Sequence, residues 1–458
     1  MVVVATTSVM YWYMVKQLFR YRRLPERVCT GRAKGARDFR VLLPRTMHGN
    51  VEMIKKRFYE FTSAVRQQAN LSARIKLWSG ETFELGDHPD PKIEISVSGP
   101  TALPHLIFPS LDSLGGAYVN GHIDVDGSLT DIIDMSYALT KFTQARGGKP
   151  SLLARTAQKL IHSRESDQHA IQFHYDVSNA FYQLWLDENM LYSCAYFEQG
   201  DEDLATAQIK KLDHILTKAK VRPGDKLLDI GCGWGALVIR AAQRFGAQCT
   251  GVTLSQNQYD FATERVKKLG LGDRIRIELR DYRDVQGSFD RITSVGMFEH
   301  VGRAHLEAYF RKIHSLLTDD GLCLNHGITL TDTDRHETPY GAGSFIDRYV
   351  FPDGELPHIS LVLREMQKGG LETIDVENLR RHYARTLEIW SRNYEQHADA
   401  IRKLVDEQRF RIWRVYLAGC AYAFDQDDVS IYQVLCRKAG HASNTLDWSR
   451  RYMYGGTT

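Results

Sequence analysis

What this 458-residue sequence lacks narrows it first. No CxxC pair occurs among its seven cysteines, Cys29, Cys194, Cys232, Cys249, Cys323, Cys420 and Cys436, and their number is odd. That excludes a disulfide framework and the common zinc-ligand spacings, so no metal site is expected and the pattern fits a reduced, cytoplasmic protein. Net charge is scarce as well: 59 Lys and Arg against 56 Asp and Glu leave +3, too little for a broadly basic nucleic-acid surface. No stretch approaches the roughly eighteen uninterrupted apolar residues of a spanning helix. Internal repeats and long low-complexity tracts are missing too.

With 43% hydrophobic and 25% charged residues, the chain is expected to be globular and is long enough for two or three domains. Its charge is unevenly spread. Ten Lys and Arg lie between Lys16 and Arg45 against only Glu26 and Asp38, a cationic arm that anionic lipid headgroups would attract. Ahead of it, "MVVVATTSVMYWYMV" is too short to span a bilayer, and its charges follow the apolar run where a signal peptide would carry them in front. A peripheral anchor and an upstream start codon both remain open for it. Texture divides the chain into a basic extension (1–45), a segment of short strands and helices (46–145), a polar linker broken by Gly-Gly-Lys-Pro (146–167), a strand-and-helix body (168–440) and a tail (441–458).

In the body, "KLLDIGCG" (226–233), "AQCTGVTLS" (247–255), "RIRIELRD" (274–281), "FDRITSVGM" (289–297) and "GLCLNHGIT" (321–329) alternate with helical stretches such as "WGALVIRAAQRF". Apolar strands separated by helices predict a mostly parallel sheet covered on both faces. "LETIDVENL" and "VSIYQVLCRKA" are candidates to close one edge. Gly231, Gly233 and Gly235 fall at the first strand-to-helix turn, where glycine lets the backbone approach a ligand. The GxGxG spacing, with Asp229 two residues ahead, resembles the S-adenosylmethionine loop of Rossmann-like methyltransferases. The second strand ends in "GVTLSQNQ" without a ribose-binding carboxylate, which leaves Thr253 and Gln258 to supply polar contacts and counts against NAD. Asp281 and Tyr282 follow the third strand, where an adenine-edge contact is expected; the alternative for Asp281 is a turn or helix cap.

Taken together, "FHYDVSNAFYQLWLDENMLYSCAYF", "LLDIGCGWG", "VTLSQNQ", "GMFEHVG", "NHGI", "FIDRYVFPDGELP" and "HYARTLEIW" closely resemble the cyclopropane fatty acid synthases, whose relatives include the mycolic acid cyclopropane synthases and methyl-branching fatty acid methyltransferases. The likeness covers about 168–440, and "AYVNGHIDVDGSL" extends it back to about residue 60. It implies an α/β fold: a Rossmann-like class I S-adenosylmethionine-dependent methyltransferase with a smaller N-terminal α+β lipid-binding domain. The implied reaction transfers the sulfonium methyl to the cis double bond of an unsaturated phospholipid chain in a bilayer, then closes a cyclopropane ring. A homodimer working peripherally at the inner membrane face is also implied, with no nucleic-acid partner.

An alkene is a poor nucleophile and water quenches a carbocation, so such a site needs a dry apolar channel, aromatic faces and a nearby base. Phe173, Tyr175, Tyr192, Tyr196, Phe197, Trp234, Phe298, Tyr349 and Phe351 are the aromatic candidates. The resemblance implies that the base is a bound bicarbonate ion. Glu299, His326 and Tyr383 would hydrogen-bond it, with backbone groups of Cys194 and Ile328. Cys420 matches a family cysteine once considered a nucleophile, but its apolar neighbours argue for pocket lining. His174, Tyr175 and Asp176 match a motif that closes over the cofactor, and Tyr192 and Ser193 would contact its methionine portion. Trp234 belongs to the same cofactor loop. Methylene or methyl-branch formation is the competing outcome, and a non-catalytic lipid-binding protein is a more distant one.

Overall fold

Two sheets arise from two different apolar patterns. The computed structural model describes residues 45–145, 177–333, 338–351, 355–440 and 446–454, with side chains from residue 54 onward. The basic arm up to residue 44, the whole linker, and Phe173, His174, Tyr175 and Asp176 lie outside the described residues.

The first sheet comprises β1 (Ala73–Lys76), β2 (Thr82–Glu84), β3 (Ile93–Val97) and β4 (Ile123–Asp126) in the order β2-β1-β3-β4, parallel only between β1 and β3. In β3 the residues Ile93, Ile95 and Val97 are buried while Glu94 and Ser96 between them are not, as one covered face requires. Helices α1 (Arg45–Gln68), α2 (Leu111–Val119) and α3 (Leu129–Ala145) belong to the same segment, and Phe58, Ile75, Leu106, Leu114 and Leu139 share its core. Ser110 caps α2 by accepting the Ser113 N–H at 3.0 Å.

The larger sheet has continuous apolar strands. It contains β5 (Lys226–Ile230), β6 (Gln248–Thr253), β7 (Ile275–Leu279), β8 (Phe289–Val295), β9 (Leu317–Leu330), β10 (Leu371–Asn378) and β11 (Val429–Lys438), ordered β10-β11-β9-β8-β5-β6-β7. The five strands from β5 to β9 run parallel, and β11 enters antiparallel between β9 and β10. This is the doubly wound sheet expected from sequence, with the two late segments at one edge. Around it lie α4 (Leu204–Lys218), α5 (Ala236–Phe245), α6 (Gln256–Lys268), α7 (Leu306–Leu316), α8 (Ala342–Tyr349), α9 (Ile359–Lys368), α10 (Arg380–Gln396) and α11 (Glu407–Asp425). Asp203, Ser255 and Asp406 start α4, α6 and α11 by accepting backbone N–H groups. Chain order reverses between β5 and β8, which opens a crevice at the carboxyl ends of these strands.

The small domain is tied to the larger one through α2 and α3. Arg414 Nη1 of α11 donates to Tyr118 Oη at 2.9 Å and Arg411 Nη1 to the Tyr118 carbonyl at 3.0 Å. Tyr137 of α3 donates to Asp428 at 3.3 Å and lies with its ring 4.1 Å from that of Tyr422. Gly115 has no room for a side chain, because a Cβ there would stand 2.8 Å from the Phe345 ring of α8.

Candidate active site

The crevice is floored by the turn after β5. Gly231, Gly233 and Gly235 have φ of 79°, 55° and 84°, the left-handed region that favours glycine. The N–H groups of Gly231 and Cys232 both donate to the Val252 carbonyl, folding the turn back against β6. Gly235 begins α5, and a Cβ there would stand 3.1 Å from Ala262 of α6. Asp229, just before the turn, is buried and accepts Thr293 Oγ1 at 2.7 Å; burial pushes its carboxyl up to about 6. At the end of β6, Thr253 donates to Gln258 Oε1 at 2.9 Å. Asp281 caps the following turn and its two oxygens grip Arg283 at 2.9 and 2.6 Å. That bond holds the carboxyl below its usual range. Trp234 donates its indole N–H to Asn179 at 2.8 Å.

Opposite the turn stands a second group of residues. Glu299 follows β8 on a short 3-10 turn; Ile328 lies on β9, and the Ile328 N–H donates to Glu299 Oε1 at 2.7 Å. Among the described residues Glu299 Oε2 has no hydrogen-bond partner although it is buried, and burial pushes the carboxyl up to about 7. A carboxyl poised there accepts or donates near neutrality. Tyr383 of α10 and Cys420 of α11 complete this wall. Burial raises the Tyr383 phenol well above its usual range and pushes the Cys420 thiol up to about 12.

One cavity of about 1980 Å³ joins the two groups. It is bordered by Asp229, Gly231, Gly233, Trp234, Thr253, Gln258, Asp281 and Tyr282 on one side and by Glu299, Ile328, Tyr383 and Cys420 on the other, with Tyr192 and Ser193 also in its lining. His326 is fully buried on β9 but does not border this space. Its Nδ1 meets Gln433 Nε2 at 3.3 Å, and burial followed by the charges of Lys211 and Lys218 pushes its pKa down to about 3, so the ring is neutral. Cys194 likewise sits in the core rather than the lining, with its Sγ donating to the Ala195 carbonyl at 3.2 Å, and burial raises its thiol. Gly235 stands behind the wall as a helix start.

Of the described aromatic candidates, Tyr192, Trp234 and Phe351 border the cavity. Tyr196 is stacked between His214 at 4.2 Å and His382 at 4.9 Å, while Phe197, Phe298 and Tyr349 pack in the core. Behind Tyr192 lies a tryptophan cluster: the rings of Trp185, Trp390 and Trp413 stand 5.5, 5.4 and 6.2 Å from it, and Tyr182 bridges from Tyr192 to Trp234 at 5.8 and 5.1 Å.

Two residues of α4 escaped the sequence reading. Lys211 borders the cavity and donates from Nζ to Ser193 Oγ at 2.7 Å; burial pushes its pKa down to about 8 despite Asp187 and Asp229 nearby. Gln208 donates to the carbonyls of Leu191 at 3.3 Å and Ser193 at 2.9 Å. Both occupy the buried stripe of Leu204, Ala207, Leu212 and Ile215, so a polar interruption of a helical apolar repeat was the available signal.

Among the described residues no group of three or more His, Cys, Asp and Glu is placed to hold a metal ion. The sequence profile of the mycolic acid cyclopropane synthetase family matches residues 162–434, and that of a domain of unknown function matches residues 60–145. A probable fatty acid methyltransferase of Pseudomonas putida is 44% identical over 395 residues, which cover 85% of this chain and 98% of that one. Cyclopropane mycolic acid synthase 1 of Mycobacterium tuberculosis is 36% identical over 276 residues, 58% of this chain and 96% of the relative. Among solved structures, the mycolic acid cyclopropane synthase CmaA1 complexed with SAH and CTAB superposes with a TM-score of 0.56 at 35% identity, covering 59% of this chain and 98% of that one.

Proposed function

Because the chain belongs to the mycolic acid cyclopropane synthetase family and has the class I S-adenosylmethionine-dependent methyltransferase fold, we propose that it methylates the cis double bond of unsaturated phospholipid acyl chains and closes a cyclopropane ring. The observation that carries this reading is Glu299, a buried carboxyl with one unpartnered oxygen, facing a largely apolar cavity that also reaches the glycine turn. S-adenosylmethionine supplies the electrophilic methyl group, and a bound bicarbonate the base.

Asp229, Gly231, Gly233, Trp234, Thr253, Gln258 and Asp281 would hold the cofactor, with Tyr192 and Ser193 toward its methionine end. Glu299 and Tyr383 would hold the small oxyanion: Glu299, near its own pKa, passes a hydrogen bond in either direction, and the protonated Tyr383 donates one. The neutral His326 and Gln433 stiffen β9 behind Glu299 and add no charge. Tyr192, Trp234 and Phe351 border the cavity, where aromatic faces would stabilise positive charge at the former double bond. Cys420 remains a thiol and contributes bulk.

A second reading is favoured by one specific observation, the name and extent of the Pseudomonas putida relative. In it the same cation loses a different proton and leaves a methylene branch, which becomes a methyl branch only after a separate reduction by another reductant-dependent activity. Incubation with labelled S-adenosylmethionine and dioleoyl phospholipid vesicles, followed by chemical degradation and mass spectrometry, separates the two isomers. Ring product supports the first reading and a methylene branch the second; no label in either discards both.

We infer also that the protein works at a bilayer surface, as a homodimer. No helix among the described residues is long and apolar enough to cross a membrane. Deleting residues 1–44 and measuring vesicle binding against salt tests the cationic arm; binding that falls with salt in the full chain and is weak in the truncated one is expected.

A further inference from the structure

The cavity does not stop at the Glu299 wall. It continues along Phe345 of α8 and Gly419 of α11 into the small domain, where Ile95 of β3, Leu106, Ile133 and Leu139 of α3 border it. Leu111, Leu129, Ile132 and Ser136 in this lining are partly exposed, whereas Ile95, Leu106 and Leu139, each only 1% exposed, border it from within the small domain's own core. Among the described residues, all charged side chains of the lining belong to the catalytic half. Every residue that the small domain contributes is apolar, glycine or an uncharged Tyr, Ser or Gln. The hydroxyl of Ser136 is already spent on the Ile132 carbonyl at 2.8 Å.

Gly419 adds an independent observation. It lies inside a long helix, where glycine is unfavourable, its φ is not in the left-handed region, and a Cβ built on it meets nothing within 4 Å. The residue leaves open the passage between the Glu299 wall and the small domain.

We propose that the small domain receives the methyl-terminal end of the acyl chain whose double bond lies at the Glu299 wall, and so gauges chain length beyond that bond. The inference rests on the acyl-lipid reading above and extends it to a part of the molecule outside the catalytic fold. The small domain itself offers a headgroup no charge, and Arg414, which reaches the arm at Tyr118, is already paired with Glu395 at 2.8 Å, whereas a hydrocarbon end fills such a space, as apolar cavities take apolar ligands. Each methylene seated there is expected to raise kcat/KM by up to about fourfold.

The experiment uses the full chain and phosphatidylglycerol vesicles carrying myristoleoyl, palmitoleoyl or oleoyl chains, which differ only in length beyond the double bond. Leu106→Trp and Ile133→Trp fill the arm, and Gly419→Leu narrows its mouth where space is open. Binding of S-adenosylhomocysteine by calorimetry identifies the variants that remain folded. The wild type is expected to prefer oleoyl over myristoleoyl by about tenfold or more, with the preference falling below about threefold in each folded variant. An unchanged preference in such a variant, an equal loss at every length, or no length preference in the wild type overturns the gauge while leaving the acyl-lipid reading intact. If the wild type methylates none of the three lipids, the acyl-lipid reading itself falls, and the gauge with it.

Discussion

Glu299 joins two properties that ordinarily exclude each other, burial and a carboxyl left half-partnered among the described residues. Glu299→Gln keeps its shape, so S-adenosylhomocysteine binding should persist while turnover falls about a hundredfold or more. The same substitution has a consequence for stability that needs no substrate. The folded carboxyl titrates at about 7 against an ordinary 4.5, so its contribution is full below the lower value and lost as pH rises through the upper one. Ligand-free Glu299→Gln should therefore gain on the wild type between pH 5 and pH 8, by up to about 3 kcal/mol, in denaturant titrations at the two pH values. Cys194 and Cys420 are thiols raised by burial, and Cys194→Ser and Cys420→Ser should each cost less than about tenfold in kcat. A larger loss than that of Glu299→Gln would restore a thiolate mechanism. At this scale the glycine turn was legible from its spacing, and Glu299 was singled out only by the resemblance of "GMFEHVG" to the family's motif. The sequence did not disclose Lys211, because a lysine in an apolar stripe looks like an interruption until its ammonium is seen on Ser193. Nor did it reveal that both oxygens of Asp281 are engaged by Arg283, a contact across only two residues that depends on rotamers.

Helix α4 does more than cover the sheet. Its first half holds the Tyr192–Ser193 segment through Gln208 and Lys211, and its end is anchored to β10, where Lys218 Nζ meets Glu377 at 2.8 Å and Asp375 at 3.1 Å and His214 meets Glu377 at 2.7 Å. Burial alone would raise Glu377, but the His214 hydrogen bond and the Lys218 charge hold it down at about 2. Its contribution is thus present above the ordinary 4.5 and lost as pH falls toward 2. Lys218→Met leaves buried carboxylates without their cation and should cost about 3–5 kcal/mol at pH 7 in urea unfolding, with the deficit shrinking toward pH 3. A deficit that stays constant with pH would show that packing, not charge, anchors the helix. The strands around this helix were legible because β5, β6 and β8 are short apolar runs bounded by glycine and turn residues. The anchor was not, since His214 and Glu377 are far apart in sequence and neither sits in a recognisable motif.

At the scale of the whole molecule, residues 50–458 form one compact unit even though two sheets with separate cores lie within it. Arg411, Arg414 and Tyr137 cross between them, and the cavity runs through both. Calorimetry should accordingly give one cooperative transition for the two sheets, with calorimetric and van't Hoff enthalpies agreeing. Two resolved transitions would make the small domain an independent module. The doubly wound order was readable from alternating strands and helices, and so was the edge location of the last two strands. The continuity of the cavity was not, because it depends on Gly115 and Gly419, two glycines that no pattern distinguishes from ordinary helix interruptions.

The tryptophans behind Tyr192 give the protein an optical property. Trp185, Trp390 and Trp413 are sealed in the interior next to the cavity and Trp234 lies on its surface, whereas Trp78 and Trp448 are exposed. With the seventh tryptophan, Trp12, replaced by Phe, iodide in solution reaches the exposed pair and silences it, so the remaining blue-shifted emission reports from the cavity and its surroundings. A ligand that seats against Trp234 is then visible by light, without label or turnover, as a change in emission that iodide does not remove.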